Sequence, residues 1–208
     1  MRAQFLSVYT AIIPSHVHVR GVFPSSRSEE IFSCSSKKVQ TEKYCVWKLL
    51  EYALFHAFGK RIEEISFTKS ADGKWECDFC HFSLSHSGNA VAVALADSPV
   101  GVDIEKLAPI KNIKGVAKKI LTESEAEEYQ RLALCPDSTN EFLLELWTKK
   151  ESFFKTGKYA KFVPCKIQTG LERVQTRKIC LDGEEYLLSV ANNSLSQAKF
   201  FENSPFLP

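Results

Sequence analysis

Two carboxylates alternate with apolar residues in the segment VGVDIE, which runs from Val100 to Glu105. Successive side chains of a β-strand point to opposite faces, so Asp103 and Glu105 share one face. Like charges held side by side repel each other unless a cation lies between them. Oxygen ligands favour Mg²⁺, Mn²⁺ or Ca²⁺ over zinc. The pattern therefore predicts either a divalent-metal site on a strand or two solvated acidic residues at a strand end.

A second charged segment, WTKKESFFK, runs from Trp147 to Lys155 in a predicted helix. Residues four apart lie along one side of a helix, so Trp147, Glu151 and Lys155 form one row. Trp147 and Phe154 are expected to anchor the helix in the core. Glu151 would then face a cleft, and Lys155 would offset negative charge one turn later. The alternative is an ordinary Glu–Lys pair on an amphipathic helix, worth only a few tenths of a kcal/mol.

A third polar segment, SHSGN, begins at Ser85 and precedes an almost wholly apolar stretch. Hydroxyls, an imidazole and free backbone N–H groups gathered in a turn suit phosphate oxygens. The alternative is a simple polar turn in which His86 is hydrogen-bonded at the start of a strand. A hydrolase triad is not expected, because Ser85 and His86 point apart on a strand and no G-x-S-x-G turn occurs.

The seven cysteines include a C-x-x-C-H pattern formed by Cys77, Cys80 and His81. Such a pattern is typical of haem attachment or of half a zinc site. The N-terminus lacks a secretory signal, no second C-x-x-C follows, and an odd number of cysteines cannot all pair internally. We therefore predict two ordinary thiols on a strand, in a reduced, cytoplasmic protein.

The composition is that of a globular chain of 208 residues, with 44% apolar residues and a net charge of +2. This charge is too small to indicate a nucleic-acid binder. The longest apolar runs are far shorter than the roughly 20 residues that span a bilayer, so no membrane segment is expected.

Apolar periodicity and turn residues predict an α+β fold in two similar lobes, residues 1–100 and 101–208. Each lobe would be a small antiparallel sheet with a packed helix, although no residue-level repeat relates them. Predicted strands cover residues 5–13, 64–69, 90–96, 100–105, 171–181, 185–191 and 197–202. Predicted helices cover 39–58, 122 to about 134, and 140–156, and residues 136–137 are predicted to end the second of these helices. Residues 21–38 are predicted to be a loop with a short helical turn, and residues 71–74 a tight turn.

Taken together, the three polar segments resemble the 4'-phosphopantetheinyl transferase superfamily, and most closely its larger, monomeric, surfactin-type members. The resemblance covers residues from about Lys74 to Lys155. It implies a pseudo-dimer of two α+β lobes with the active site in the cleft between them. It also implies transfer of the 4'-phosphopantetheine group from coenzyme A to a serine of an apo acyl or peptidyl carrier protein, with Mg²⁺, or Mn²⁺ in its place, as cofactor.

The resemblance also assigns roles to individual residues. The metal positions match Asp103, Glu105 and Glu151, and Glu151 is further assigned as the acceptor of the serine proton. Contacts to coenzyme A match Lys74, Ser85, His86 and Lys155, of which Lys155 also stabilises the charge that develops on the pyrophosphate. Basic residues that bind the 3'-phosphate in such enzymes have no clear motif here, where Arg27, Lys37, Lys38 and Lys43 are the candidates.

Two other functions stay open at this stage: a non-catalytic nucleotide- or metal-binding module, and a metal-dependent phosphodiesterase. A basic stretch, residues 106–119, contains five lysines and is either a docking face for an acidic carrier protein or a solvated helix.

Overall fold

The computed structural model describes residues 5–71, 73–132, 136–168, 173–193 and 197–206. The strands within these ranges are β1 (Leu6–Ile12), β2 (Phe67–Lys69), β3 (Trp75–Cys77), β4 (His81–Ser87), β5 (Ala90–Ala96), β6 (Val100–Lys106), β7 (Val174–Leu181), β8 (Glu184–Asn192) and β9 (Lys199–Phe201). The α-helices are α1 (Ser25–Phe32), α2 (Lys37–Phe58), α3 (Ile113–Ile120), α4 (Glu123–Leu132) and α5 (Pro136–Phe154), and short 3₁₀ turns cover Ile62–Glu64 and Pro164–Lys166. No helix in these ranges is long and apolar enough to cross a membrane.

Two larger sheets form the centre of the molecule, and β2 and β3 form a separate hairpin. The first sheet has the order β4-β5-β1-β9, in which only the β1–β9 pair is parallel. The second has the antiparallel order β6-β8-β7. Helix α2 packs on the first sheet and α5 on the second. The predicted α+β class is confirmed, whereas the lobe boundary at residue 100 stays a prediction.

The strand β5 is buried on both faces, as its apolar sequence AVAVALA predicts. Its larger side chains, such as Val91 and Val93, pack in the core that contains Trp47 of α2. Its four alanines pack instead against the second sheet, in a core with Val102 and Leu188. The small residues therefore let the two sheets approach, and the large ones fill the space under the helix.

Local signals explain the ends of α2. The Ser36 hydroxyl accepts a hydrogen bond from the Val39 N–H, which caps the first turn. Gly59 ends the helix with φ 66°, a left-handed conformation that glycine adopts without strain. The predicted helix 39–58 is confirmed and begins two residues earlier. Within the stretch predicted as loop, α1 forms a helix of eight residues rather than one short turn.

The second half follows its turn signals, with one correction. Asp182 and Gly183 have φ 51° and 76° and connect β7 to β8, as the predicted hairpin requires. The capping box is present, since the Thr122 N–H donates to Glu125 Oε2 at 2.8 Å. The expectation that residues 136–137 are a non-helical break between two helices is wrong, because Pro136 is the first residue of α5. At this position the N–H that proline lacks would have no partner within the helix, so its absence does not destabilise α5. The predicted ends at residues 133–134 and 171–172, and Asp72 of the predicted turn, lie outside the described residues.

Candidate active site

The predicted carboxylates come together between β6 and α5. Asp103 is 2% exposed on β6, and its Oδ1 accepts a hydrogen bond from Lys155 Nζ at 2.8 Å. The same ammonium lies 3.1 Å from Glu151 Oε1, one helical turn back. Val102 and Ile104, on the opposite face of the strand, are fully buried in the core. The alternation of side chains along β6 therefore directs Asp103 toward α5, and the two charged segments, residues 100–105 and 147–155, meet at one site.

Glycine at position 101 allows α5 to approach β6 this closely. A Cβ built on Gly101 would lie 1.8 Å from the Ser152 carbonyl oxygen and 2.9 Å from the Lys155 Cβ. No side chain fits at these distances. The backbone contact therefore fixes the distance between α5 and β6, and with it the positions of Glu151 and Lys155.

Alternate serines of β4 bind the backbone of β6. The hydroxyls of Ser83, Ser85 and Ser87 accept hydrogen bonds from the N–H groups of Val102, Ile104 and Lys106, at 3.0, 3.3 and 3.1 Å. The Ser85 hydroxyl also donates to Asp103 Oδ1 at 2.8 Å, and the Ser87 hydroxyl donates to Glu105 Oε2 at 2.6 Å. This serine ladder joins the two sheets at the site. The predicted contact of Ser85 with coenzyme A stays a prediction, and the structure gives its hydroxyl a role in holding Asp103.

Burial and like charge make the carboxylates hard to ionise. Burial, and secondarily the nearby Glu151, raises the pKa of Asp103 to about 7, although Lys155 and the Ser85 hydrogen bond oppose the shift. Burial also raises the pKa of Glu105, which the Ser87 hydroxyl and the Trp147 indole oppose by hydrogen bonding. Burial lowers the pKa of Lys155, but the charges of Asp103 and Glu151 outweigh it and raise the pKa overall. Additional positive charge at this site would therefore stabilise the ionised carboxylates.

One atom of the site lacks a partner. Asp103 Oδ2 is buried and makes no hydrogen bond within the protein, an arrangement that costs about 1–3 kcal/mol in a native fold. A free, buried carboxylate oxygen fits a divalent cation. Among the described residues, however, no three His, Cys, Asp or Glu side chains are already gathered into a metal cage. The carboxylate oxygens of the site are suitable ligands for a divalent metal ion. Within the protein, the positive charge next to them is the Lys155 ammonium.

The two predicted phosphate contacts outside this cluster lie on either side of it. His86 is 41% exposed at its side chain, with Nδ1 3.8 Å from Glu42 Oε2. Burial lowers its pKa; Glu42 opposes this shift, whereas Lys155 and Lys43 reinforce it. Lys74 Nζ donates to the Lys155 carbonyl at 2.7 Å.

Lys74 and Lys155 also line a pocket of about 220 Å³ with Trp75 and Phe82. A larger cavity, of about 530 Å³, lies along residues 14–21 and α2, and none of the predicted site residues line it.

Sequence reasoning missed two charged residues near the site. Lys150 is fully buried, and its Nζ donates to the Ile120 carbonyl and to Glu125. It points away from the carboxylates although it precedes Glu151, and its position in a charged run gave no signal of burial.

Glu30 is the second missed residue. Its carboxylate accepts hydrogen bonds from Arg27, Lys43, Lys69 and the Trp75 indole. Two candidates for binding the 3'-phosphate, Arg27 and Lys43, are therefore paired with an internal carboxylate, and Arg27 is only 4% exposed.

Comparison with known proteins identifies the part of the chain that holds this cluster. Residues 99–191 match the family model of the 4'-phosphopantetheinyl transferase superfamily. This part of the chain is similar to members of that superfamily. The match contains Asp103, Glu105, Glu151 and Lys155, and it confirms the resemblance inferred from the motifs.

Individual relatives have the same description. The chain is 36% identical over 115 residues to 4'-phosphopantetheinyl transferase psf-1 of Bacillus pumilus, a match that covers 53% of this chain and 47% of the relative. It is 39% identical over 75 residues to 4'-phosphopantetheinyl transferase Sfp of Bacillus subtilis, covering 36% of this chain and 32% of the relative. It is 37% identical over 75 residues to 4'-phosphopantetheinyl transferase AcpT of Escherichia coli, covering 36% and 37%. The chain therefore spans half or less of the length of these relatives.

Proposed function

We propose that this protein transfers the 4'-phosphopantetheine group of coenzyme A to a serine of an apo acyl or peptidyl carrier protein, releasing adenosine 3',5'-bisphosphate. The observation that carries the proposal is the convergence of Asp103 and Glu105 with Glu151 and Lys155, inside the residues that match the superfamily. Relatives named 4'-phosphopantetheinyl transferase support the same reaction.

We infer that Mg²⁺, or Mn²⁺ in its place, is held by Asp103, Glu105 and Glu151. The metal would supply positive charge to the pyrophosphate of coenzyme A. The unpaired Oδ2 of Asp103 and its raised pKa support this assignment, because a cation relieves both costs. Since the chain offers few preassembled ligands, we expect phosphate oxygens and water to complete the coordination, as is usual for Mg²⁺.

We assign the other roles in the reaction to individual side chains. Lys155, already placed between two carboxylates, would stabilise the negative charge that develops on the leaving phosphate. Glu151, whose side chain is 26% exposed, would accept the proton of the attacking serine, directly or through water. His86, Ser85 and Lys74 would contact the phosphates of coenzyme A.

The carrier protein would bind beside α3. The lysines of this helix that face solvent include Lys114 and Lys118, whereas Ala117 and Ile120 pack in the core. An exposed basic face suits the acidic surface expected of carrier proteins and would chiefly accelerate encounter. A cytoplasmic monomer is our further expectation, and light scattering during size-exclusion chromatography tests the oligomeric state.

The test is the intact mass of a purified apo carrier protein after incubation with this protein, coenzyme A and Mg²⁺. We expect a gain of one phosphopantetheine and an equal yield of adenosine 3',5'-bisphosphate, both lost in Asp103→Ala. The matched control is Asp97→Ala, since Asp97 is an exposed carboxylate in the turn before β6. Coenzyme A binding without mass gain on any carrier type would favour a non-catalytic module. Hydrolysis of coenzyme A without an acceptor would favour a phosphodiesterase.

A further inference from the structure

Two thiols lie in contact at the turn between β3 and β4. Cys77 ends β3, and Cys80 immediately precedes β4, so the two are not on one strand as the sequence suggested. The Cys77 thiol donates a hydrogen bond to the Cys80 carbonyl oxygen at 3.1 Å, which places its sulfur atom against the second cysteine. The turn is fixed because the Asp78 N–H donates to the Ser66 carbonyl and the Phe79 ring packs on Phe58 at 4.9 Å. The chain therefore holds both sulfur atoms together in the reduced protein.

The environment makes the two thiols unequal. The hydrogen bond from Cys80, with further ones from the backbone N–H groups of Phe79 and Cys80, lowers the pKa of Cys77 to about 6, although burial opposes the shift. The same contact and burial raise the pKa of Cys80. Cys77 is therefore the thiol of the pair that ionises more readily, and Cys80 is the one that keeps its proton. A low-pKa thiol beside a second one is the arrangement of a redox-active pair.

We propose that Cys77 and Cys80 form a reversible disulfide, which makes this turn a site of redox modification. The oxidant class is a low-molecular-weight disulfide. The Cys77 thiolate attacks one of its sulfur atoms and releases one thiolate, leaving a mixed disulfide. The Cys80 thiol then loses its proton and attacks the Cys77 sulfur, which releases the second thiolate. Counted from the two thiols, the protein loses two electrons and two protons, one when Cys77 ionises and one from Cys80, and the two released thiolates take up these protons to give two thiols.

The other described cysteines lack this arrangement. Cys45 is buried, and burial raises its pKa to about 11, so it is a poor nucleophile. Cys165 and Cys180 are exposed and lie far apart in the sequence. A closed metal site is disfavoured because no third His, Cys, Asp or Glu joins Cys77 and Cys80 among the residues that the structure describes. The proximity of two thiols thus favours a disulfide over coordination.

The test titrates the protein with glutathione disulfide, blocks the remaining thiols with N-ethylmaleimide and maps the peptides by mass spectrometry. We expect a peptide linking Cys77 to Cys80 at doses that leave Cys165 and Cys180 free, and reversal by dithiothreitol. Iodoacetamide at pH 7 should modify Cys77 roughly ten-fold faster than Cys80, because the pKa of Cys77 is lowered and that of Cys80 is raised. Modification of Cys165 or Cys180 first, with Cys77 and Cys80 still free, would overturn the proposal.

Serine variants separate the two roles. Cys80→Ser should accumulate glutathione on Cys77, because no second thiol resolves the mixed disulfide. Cys77→Ser should leave Cys80 unmodified at the same dose, and Cys180→Ser should behave like the parent protein. Circular dichroism checks that each variant is folded. If a variant does not fold, the peptide map of the parent protein decides the matter. Absence of the mixed disulfide in a folded Cys80→Ser protein would refute the attack by Cys77.

Discussion

Lys150 is expected to support the active site without taking part in the reaction. Its Nζ donates to Glu125 Oε2 at 2.5 Å and to the Ile120 carbonyl at 2.6 Å, and the side chain is fully buried. Ile120 ends α3 and Glu125 lies in the first turn of α4, so one ammonium attaches both helices to α5. Its neighbour in sequence, Glu151, points to the other side of the helix and into the site.

Replacing Lys150 by Met should be strongly destabilising. The change removes the Lys150 ammonium from the Glu125 carboxylate, of whose side chain only 13% is exposed. Breaking a buried ion pair in this way costs about 3–5 kcal/mol. For a chain of this size such a loss lowers the melting temperature by roughly 10 °C. The double variant Lys150→Met/Glu125→Gln should recover part of the loss, because the uncompensated charge is removed while the capping acceptor stays.

Urea denaturation followed by circular dichroism measures the free energy of unfolding, and the carrier assay measures the rate for folded protein. Lys149→Met is the matched control, since Lys149 pairs with Glu145 near the surface and should cost less than about 1 kcal/mol. The rate for folded Lys150→Met should stay within a few-fold of the parent. A variant of unchanged stability that has lost its activity would refute this account and place Lys150 in the chemistry.

Three further changes test the packing, the electrostatics and the docking face. Gly101→Ala should lower both the stability and the transfer rate, because the added Cβ would lie 1.8 Å from the Ser152 carbonyl oxygen. Gly21→Ala is the control, since its Cβ would make only an ordinary van der Waals contact. If the two variants had equal effects in denaturation and activity assays, the packing argument would be contradicted. Burial raises the pKa of Glu30, but its four hydrogen-bonded partners outweigh burial and lower this pKa to about 2. The ionised Glu30 therefore stabilises the fold above pH 4.5, and this stabilisation is lost as the pH falls toward 2. Glu30→Gln should therefore cost about 2 kcal/mol at pH 7 after allowance for partial exposure, and urea titrations should show the difference shrinking in acid rather than staying constant. Reversing Lys114 and Lys118 to Glu should raise the KM for the carrier and leave kcat unchanged, and unaltered kinetics would rule out docking on α3.

The features that the sequence predicted correctly depend on neighbours in the chain. The two-residue period of β6 places Asp103 and Glu105 on one face whatever lies around the strand. The capping of α2 and the turn at Gly183 likewise follow from local conformational preferences. These elements bring the predicted metal ligands and Lys155 to one place once the sheets have packed.

The features that sequence reasoning missed depend on distant partners. The alternating serines of β4 look like a polar turn, yet they bind the backbone of β6, about 19 residues later. Lys150 and Glu151 are adjacent charged residues of one run, and only the packing of α3 and α4 on α5 shows which of them is buried. A proline breaks the interior of a helix, but Pro136 is the first residue of α5, where its missing N–H needs no partner.

The pairing of Glu151 with Lys155 shows how tertiary context changes the weight of a local pattern. On an isolated helix the pair would contribute only a few tenths of a kcal/mol. In the folded protein Asp103 adds a second carboxylate, buried at 2% exposure, to the same ammonium. Without that cation, Asp103 and Glu151 would repel each other in a region of low dielectric. Lys155 therefore offsets the repulsion between the two carboxylates, and the same charge is available to a phosphate group that enters the site.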